Sequence, residues 1–189
     1  MTTPEPDLHP LLRSRWSPTV FDRSFQAAQS HVSSLLEAAR WAPSAGNSQP
    51  WSFIVARRGD GTHHRIVTHL AASSRRWAPH ASILVVNVCH RYVEDTDWEY
   101  SEFSVYDLGQ AVAHMTLQGQ AMGLSARQFR AFDRDALTAE FAIAPHWQIM
   151  TMTAFGVVPR DSRADEAAPP SEHVPRHRRD IGELLWPGT

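Results

Sequence analysis

The stretch APSAGNSQPWSFIVA, residues 42–56, joins a helix to a strand through a loop that neither element can absorb. Upstream, Ser30 is placed to cap a helix in which Val32, Leu35, Leu36 and Ala39 recur on one face, and Pro43 stops it. Residues 44–50 are Ser, Ala, Gly, Asn, Gln and Pro, which predicts a loop, and WSFIVA at 51–56 then reads as a buried strand. Residues 57–62 form a turn and 64–72 a helix. The run SILVVNVC at 82–89 has the length and β-branching of a central strand. The longest predicted helix covers 99–122, with Phe103, Leu108, Ala111, Val112 and Met115 near one face and Gly123 as its stop. A helix of that length can carry a dimer contact. A short strand at 125–129, a helix capped by Asp133 and a strand at 147–158 follow. Helices and strands mix without regular βα alternation, which predicts an α+β fold with a mainly antiparallel sheet.

With 189 residues, 42% of them hydrophobic, the chain has material for one core, so a single domain over 1–189 is expected. Within it, 1–10 reads as a flexible leader, 159–175 as a charged, proline-containing loop and 176–189 as a C-terminal segment. The formal charge of -2 is spread along the sequence, with no basic stripe for nucleic acid and no span for a membrane. A small-molecule partner is the expectation. All 18 basic side chains are Arg, so any cationic contact to a ligand is a guanidinium. Cys89 is the single cysteine and lies in an apolar run, where a thiol is buried rather than nucleophilic. Pro4, Glu5, Pro6 and Asp7 stand where a signal peptide would be basic and apolar, and the chain reads as cytoplasmic.

No Gly-Lys phosphate loop and no G-x-S-x-G elbow occurs, and Gly59-Asp60-Gly61 lacks the third glycine of a dinucleotide fingerprint. The 11 histidines form no helical pair with a nearby carboxylate, so no metal ligand is assigned. Three segments remain: RSRWS at 13–17, APSAGNSQPW at 42–51 and RHRR at 176–179.

Together and in this order, these segments resemble the nitroreductase family of FMN-dependent oxidoreductases. Arg15, Ser17 and Phe21 fit its first element. Ala42, Pro43, Ser44, Asn47, Gln49, Pro50 and Trp51 fit its second at every position. Asp107-Leu108-Gly109, Gly123-Leu124, Gly156 and Arg178-Arg179 before Ile181, Glu183 and Leu184 extend the likeness over most of the chain.

The resemblance implies a bound FMN with Arg13, Arg15, Trp16, Ser17, Thr19, Pro43, Ser44, Asn47, Gln128, Phe129, Arg176, Arg178 and Arg179 around it. Arg15 and Arg178 suit a phosphate as forked, permanent cations, and Ser17 adds a hydroxyl. Asn47 matches the donor and acceptors of the ring edge, with Ser44 and the Pro43 backbone beside it. Residues 127–129 stand where the family brings a backbone amide to flavin N5, although Gln128 and Phe129 equally read as a plain strand pair. The family builds each site across a homodimer, so dimerisation is implied to complete the domain. NADH or NADPH is the implied reductant, a nitroaromatic or quinone the acceptor, and no side chain is assigned a catalytic role. Two alternatives stand beside it: a dehydrogenase or oxidase of one dedicated metabolite, and a non-enzymatic flavin-binding subunit. Thr19, Ser74 and Trp77 depart from the pattern where relatives carry groups near N1 and O2, a charge that Arg75 or Arg76 is placed to replace.

Overall fold

The apolar run at 82–89 forms strand β2, Ile83–His90, in a computed structural model that describes residues 7–159 and 177–187. It is buried from Ile83 to Cys89, as a strand covered on both faces must be. β1, Trp51–Arg57, pairs with one side of it and β4, Trp147–Gly156, with the other. β3, Ser125–Phe129, closes the order β1-β2-β4-β3 as an edge strand. Each of these pairings is antiparallel. The predicted α+β fold with an antiparallel central sheet is therefore present.

Successive β2 side chains go to opposite faces, and the two cores follow from that alternation. Ile83 and Val85 pack with Val32, Leu35 and Ala39 of α2, Gln29–Arg40, and with Ala111 and Met115 of α5, Ser104–Ala121. Leu84, Val86 and Val88 pack with Ile66 of α3, Gly61–Thr68, and Leu137 of α6, Arg134–Glu140. Burying a side chain such as Leu35 contributes about 1.5–3 kcal/mol. Helices thus flank the sheet on both sides. Among the described residues, no helix is long and apolar enough to cross a membrane.

Several boundaries move. Ser30 is not the cap of α2: the helix begins after Ala28, whose N–H donates to His31 Nδ1 at 3.1 Å, and Ser30 is exposed inside the first turn. α5 starts at Ser104 rather than 99, because the chain before it folds back through a Tyr92–Glu99 bridge and a Tyr100 N to Arg91 O bond. Phe103 is accordingly 47% exposed instead of joining the buried stripe. Gly123 does end the helix, at φ 79°, with Leu124 N donating to Gly119 O. The helix expected at 64–72 starts earlier because Asp60 accepts the His63 N–H at 2.7 Å, and a separate turn of helix, α4 at Ala72–Arg75, follows it. β4 stops at Gly156 instead of 158, where a Cβ would meet the Phe21 ring at 2.7 Å.

The leader is partly structured: α1, Pro10–Ser14, precedes an extended strap. Asp22 N donates to Val157 O at 2.8 Å, and the Arg58 guanidinium donates to the carbonyls of Asp22, Arg23, Phe25 and His80. These bonds hold the strap on the sheet. Residues 1–6 of the leader and 160–175 of the expected loop lie outside the described residues.

Candidate functional site

A pocket of about 420 Å³ lies where the start of the chain crosses the second half of α5 and the edge strand β3. Leu12, Arg15 and Ser17 contribute from the start, Thr116 from α5 and Gln128 from β3. α1 is held on α5 by Gln120 Nε2 donating to Ser14 Oγ at 3.3 Å. Arg15 Nη1 donates to Ser17 Oγ at 3.3 Å, and Gln128 Nε2 to Thr116 Oγ1 at 3.3 Å. Three residues singled out in the sequence, Arg15 and Ser17 near the start and Gln128 far along the chain, thus share one cavity. A permanent cation, a hydroxyl and an amide make it a site for an anionic, polar ligand.

On the other face of the sheet from Ala126 stands an aromatic group with one cation. Trp77 meets Phe129 at a centroid distance of 4.8 Å and an interplanar angle of 69°, and Phe21 at 6.3 Å. Arg127 lies over the Trp77 ring at 5.3 Å and donates through Nη1 to the Ser17 carbonyl at 2.6 Å. Two buried donors here, Trp16 Nε1 and Arg127 Nε, have no acceptor among the described residues. A buried unmade hydrogen bond costs about 1–3 kcal/mol, which a ligand bringing acceptors would recover. Nothing in a strand pattern says that the Arg127 side chain will reach the Ser17 carbonyl.

Other residues anticipated near the cofactor are bonded elsewhere, half-buried or exposed. Arg75 donates to the Thr68 and Leu70 carbonyls. Ser74 is buried, its hydroxyl donating to the Ala71 and Ala131 carbonyls. Thr19 is half-buried and Arg13 exposed. Arg178 and Arg179 lie on an exposed segment, 177–187, where Arg178 donates to the adjacent His177 carbonyl. Arg176 falls outside the described residues.

The 42–51 loop is positioned separately. Gly46, Asn47 and Gln49 all have positive φ, 57°, 56° and 47°. For Gln that conformation costs roughly 1–2 kcal/mol, which the surrounding bonds must offset. They do so from several sides: Asp107 Oδ2 accepts the Ala45 N–H at 3.0 Å, Ser44 Oγ accepts the Gln49 N–H at 3.0 Å, and Gln49 Nε2 donates to Asn47 Oδ1 at 3.1 Å. Asn47 and Pro43 are exposed and Ser44 half-buried. From Asp107, which holds the loop, to Thr116, which lines the pocket, is about 14 Å along α5. One chain therefore does not bring loop and pocket together.

Cys89 is fully buried, and burial pushes its thiol up to about 11, with Arg91 opposing and Asp107 adding to the shift. At neutral pH it stays protonated and is no nucleophile. Among the aromatic side chains, Trp41 and Trp98 are largely exposed. Tyr100 instead stacks on His90 at 3.9 Å, with Trp147 on the opposite side of that imidazole at 4.5 Å.

Residues 12–82 match the model of the nitroreductase family. The chain is 26% identical over 143 residues to a Streptomyces coelicolor protein named as a NADH dehydrogenase/NAD(P)H nitroreductase, covering 66% of this chain and 70% of that one. A crystal structure described as an oxidoreductase containing FMN superposes with a TM-score of 0.85 at 26% identity, over 99% of this chain and 94% of the other. A Desulfovibrio desulfuricans structure described as a nitroreductase in complex with FMN shares the fold, with a TM-score of 0.70 at 23% identity over 95% and 96% of the two chains.

Proposed function

We propose that the chain, whose residues 12–82 match the nitroreductase family, is an FMN-dependent oxidoreductase carrying hydride from NADH or NADPH to a nitroaromatic, quinone or similar electron-poor acceptor. The observation that carries this reading is the convergence of Arg15, Ser17 and Gln128 on one pocket. The donor set fits the cofactor: a guanidinium and a hydroxyl suit a phosphate. FMN, when bound, supplies the two-electron chemistry, so no side chain has to act as a covalent nucleophile.

The protein's own part is to bind, orient and shield. Arg15 with Ser17 holds the phosphate end, Arg13 and Thr19 standing on either side of them in the chain. Gln128 and Phe129 line the ring from the edge strand. Pro43, Ser44 and Asn47 come from the loop of a second copy, because the loop of the same chain is held at the other end of α5. Exposed apolar side chains support such a homodimer: Tyr106 on α5 is 68% exposed and Trp186 81%. Arg178 and Arg179 reach the phosphate once the exposed C-terminal segment is seated in that assembly.

The purified protein is expected to be yellow, or to become so with FMN, and to be bleached anaerobically by NADH or NADPH. A protein that stays colourless with FMN overturns the reading. If neither nucleotide bleaches the bound flavin, the reductant is wrong, and bleaching by a dedicated metabolite would put a different dehydrogenase in its place.

A further inference from the structure

We propose that Tyr100 is a positioning residue for the 42–51 loop: it holds the loop in the shape that offers the Asn47 side-chain amide to the flavin of a second copy, an assignment that rests on the FMN-dependent reading above. The loop is pinned at both ends. Asp107 accepts the Ala45 N–H, and the β1-β2 ladder runs one step past the Trp51–Cys89 pair, His90 N donating to Pro50 O at 3.0 Å. Between these pins Asn47 and Gln49 both take left-handed backbone, with Ser48 in a right-handed conformation between them. The Tyr100 hydroxyl donates to the Ser48 carbonyl at 3.3 Å, across 52 residues of sequence. Because the peptide unit is planar, holding that oxygen fixes the plane joining Ser48 to Gln49.

Tyr100 is itself held from two directions. Its ring stacks on His90 at 3.9 Å and 19°, His90 stacks in turn on Trp147 at 4.5 Å and 16°, and the Tyr100 N–H donates to the Arg91 carbonyl at 2.9 Å. His90 therefore ties Tyr100 and Pro50 to one residue of β2. On the loop, Gln49 Nε2 donates to the Asn47 main-chain carbonyl at 3.3 Å and to Asn47 Oδ1 at 3.1 Å. A main-chain carbonyl only accepts, so the Gln49 nitrogen must face it, and the Asn47 atom beside that nitrogen is the oxygen. This leaves Asn47 Nδ2, a donor, to meet an acceptor such as a carbonyl of the ring edge.

The test is a double-mutant cycle in the full chain, with FMN dissociation constants read by quenching of flavin fluorescence. Tyr100→Phe keeps the ring and its stack and loses only the hydroxyl. Asn47→Gly removes the side-chain amide at a position whose left-handed backbone glycine adopts without strain. Tyr100→Phe should raise the dissociation constant by roughly threefold to tenfold in the wild-type background. In the Asn47→Gly background the same substitution should change it little, because a residue that acts through Asn47 has nothing left to position. Equal losses in the two backgrounds overturn the assignment, since a merely structural role adds to the loss of Asn47. So does wild-type affinity in Tyr100→Phe. Wild-type affinity in Asn47→Gly overturns it too, by taking the loop away from the cofactor while leaving the Arg15 pocket in place. Wild-type protein that takes up no FMN overturns the functional reading itself.

Discussion

The Asp107 carboxylate accepts the Ala45 amide proton at 3.0 Å across 62 residues of sequence, and so fixes the 42–51 loop to the first half of α5. Asp107 is 2% exposed, so removing it leaves a shielded N–H without an acceptor. Asp107→Ala should destabilise the protein by about 1–3 kcal/mol, measured by urea denaturation. Asp107→Asn keeps an oxygen in reach of Ala45 and should recover most of the loss. Equal losses in the two variants would show that the bond to Ala45 is not what Asp107 contributes.

The pocket yields a second prediction. Arg15 reaches Ser17 Oγ at 3.3 Å and lines the cavity with it, which makes it the phosphate ligand in the proposed site. A charge-assisted hydrogen bond contributes about 1.5–3 kcal/mol. Arg15→Ala should therefore raise the FMN dissociation constant by roughly tenfold to a hundredfold. Unchanged affinity in a titration of the apoprotein would place the phosphate elsewhere.

Much of this architecture is legible in the residues. The β-branched run at 82–89 announces β2, and the left-handed turn that Gly123 alone among its neighbours adopts freely marks the end of α5. What escapes the sequence is whatever depends on a partner distant in the chain. Ser30 looks like a cap, yet it lies inside the helix, and the His31 ring accepts the N–H of Ala28, the residue before the helix. Phe103 fits the helical period of α5, but the fold-back from Tyr92 to Tyr100 claims that backbone before the helix can. Arg15, Ser17 and Gln128, to which motif and position point, line one pocket. The bond from Arg127 to the Ser17 carbonyl is not legible, because period-two patterning assigns a side chain to a face and cannot say that the face ends at a sheet edge. Arg178 and Arg179 fit the motif, and the segment carrying them is exposed in one chain.

Gly156 tests a close approach. A Cβ at this position would lie 2.7 Å from Phe21 Cδ1 and 3.3 Å from the Ser82 nitrogen, and the latter is backbone that cannot rotate away. Gly156→Ala should cost about 1–3 kcal/mol by overpacking, read as a lower midpoint of denaturation. Phe21→Leu in the same chain should return part of it, because the shorter side chain vacates the nearest contact. No recovery in the double variant would assign the strain to the Ser82 backbone.

The last prediction concerns acid. His63, His80 and His90 are all held below the ordinary imidazole value of 6.5, chiefly by burial, to which Arg23 adds at His80 and His146 at His90. Below 6.5 the unfolded chain binds protons that the folded protein refuses, so stability is full above that pH and is lost as pH falls toward the depressed folded values. The carboxylates act in a separate window: Glu37 is lowered to about 2 by hydrogen bonds from Arg40 and Trp41, so its contribution persists until far more acidic conditions. Melting temperature should therefore decline between about pH 6.5 and 5, before carboxylate titration begins. His63 is 6% exposed, and its Nε2 has no partner among the described residues, which makes it costly to charge. His63→Gln should flatten the decline in this range without steepening it above pH 7. A variant whose melting curve keeps the wild-type slope would assign the acid loss to His80 and His90 instead.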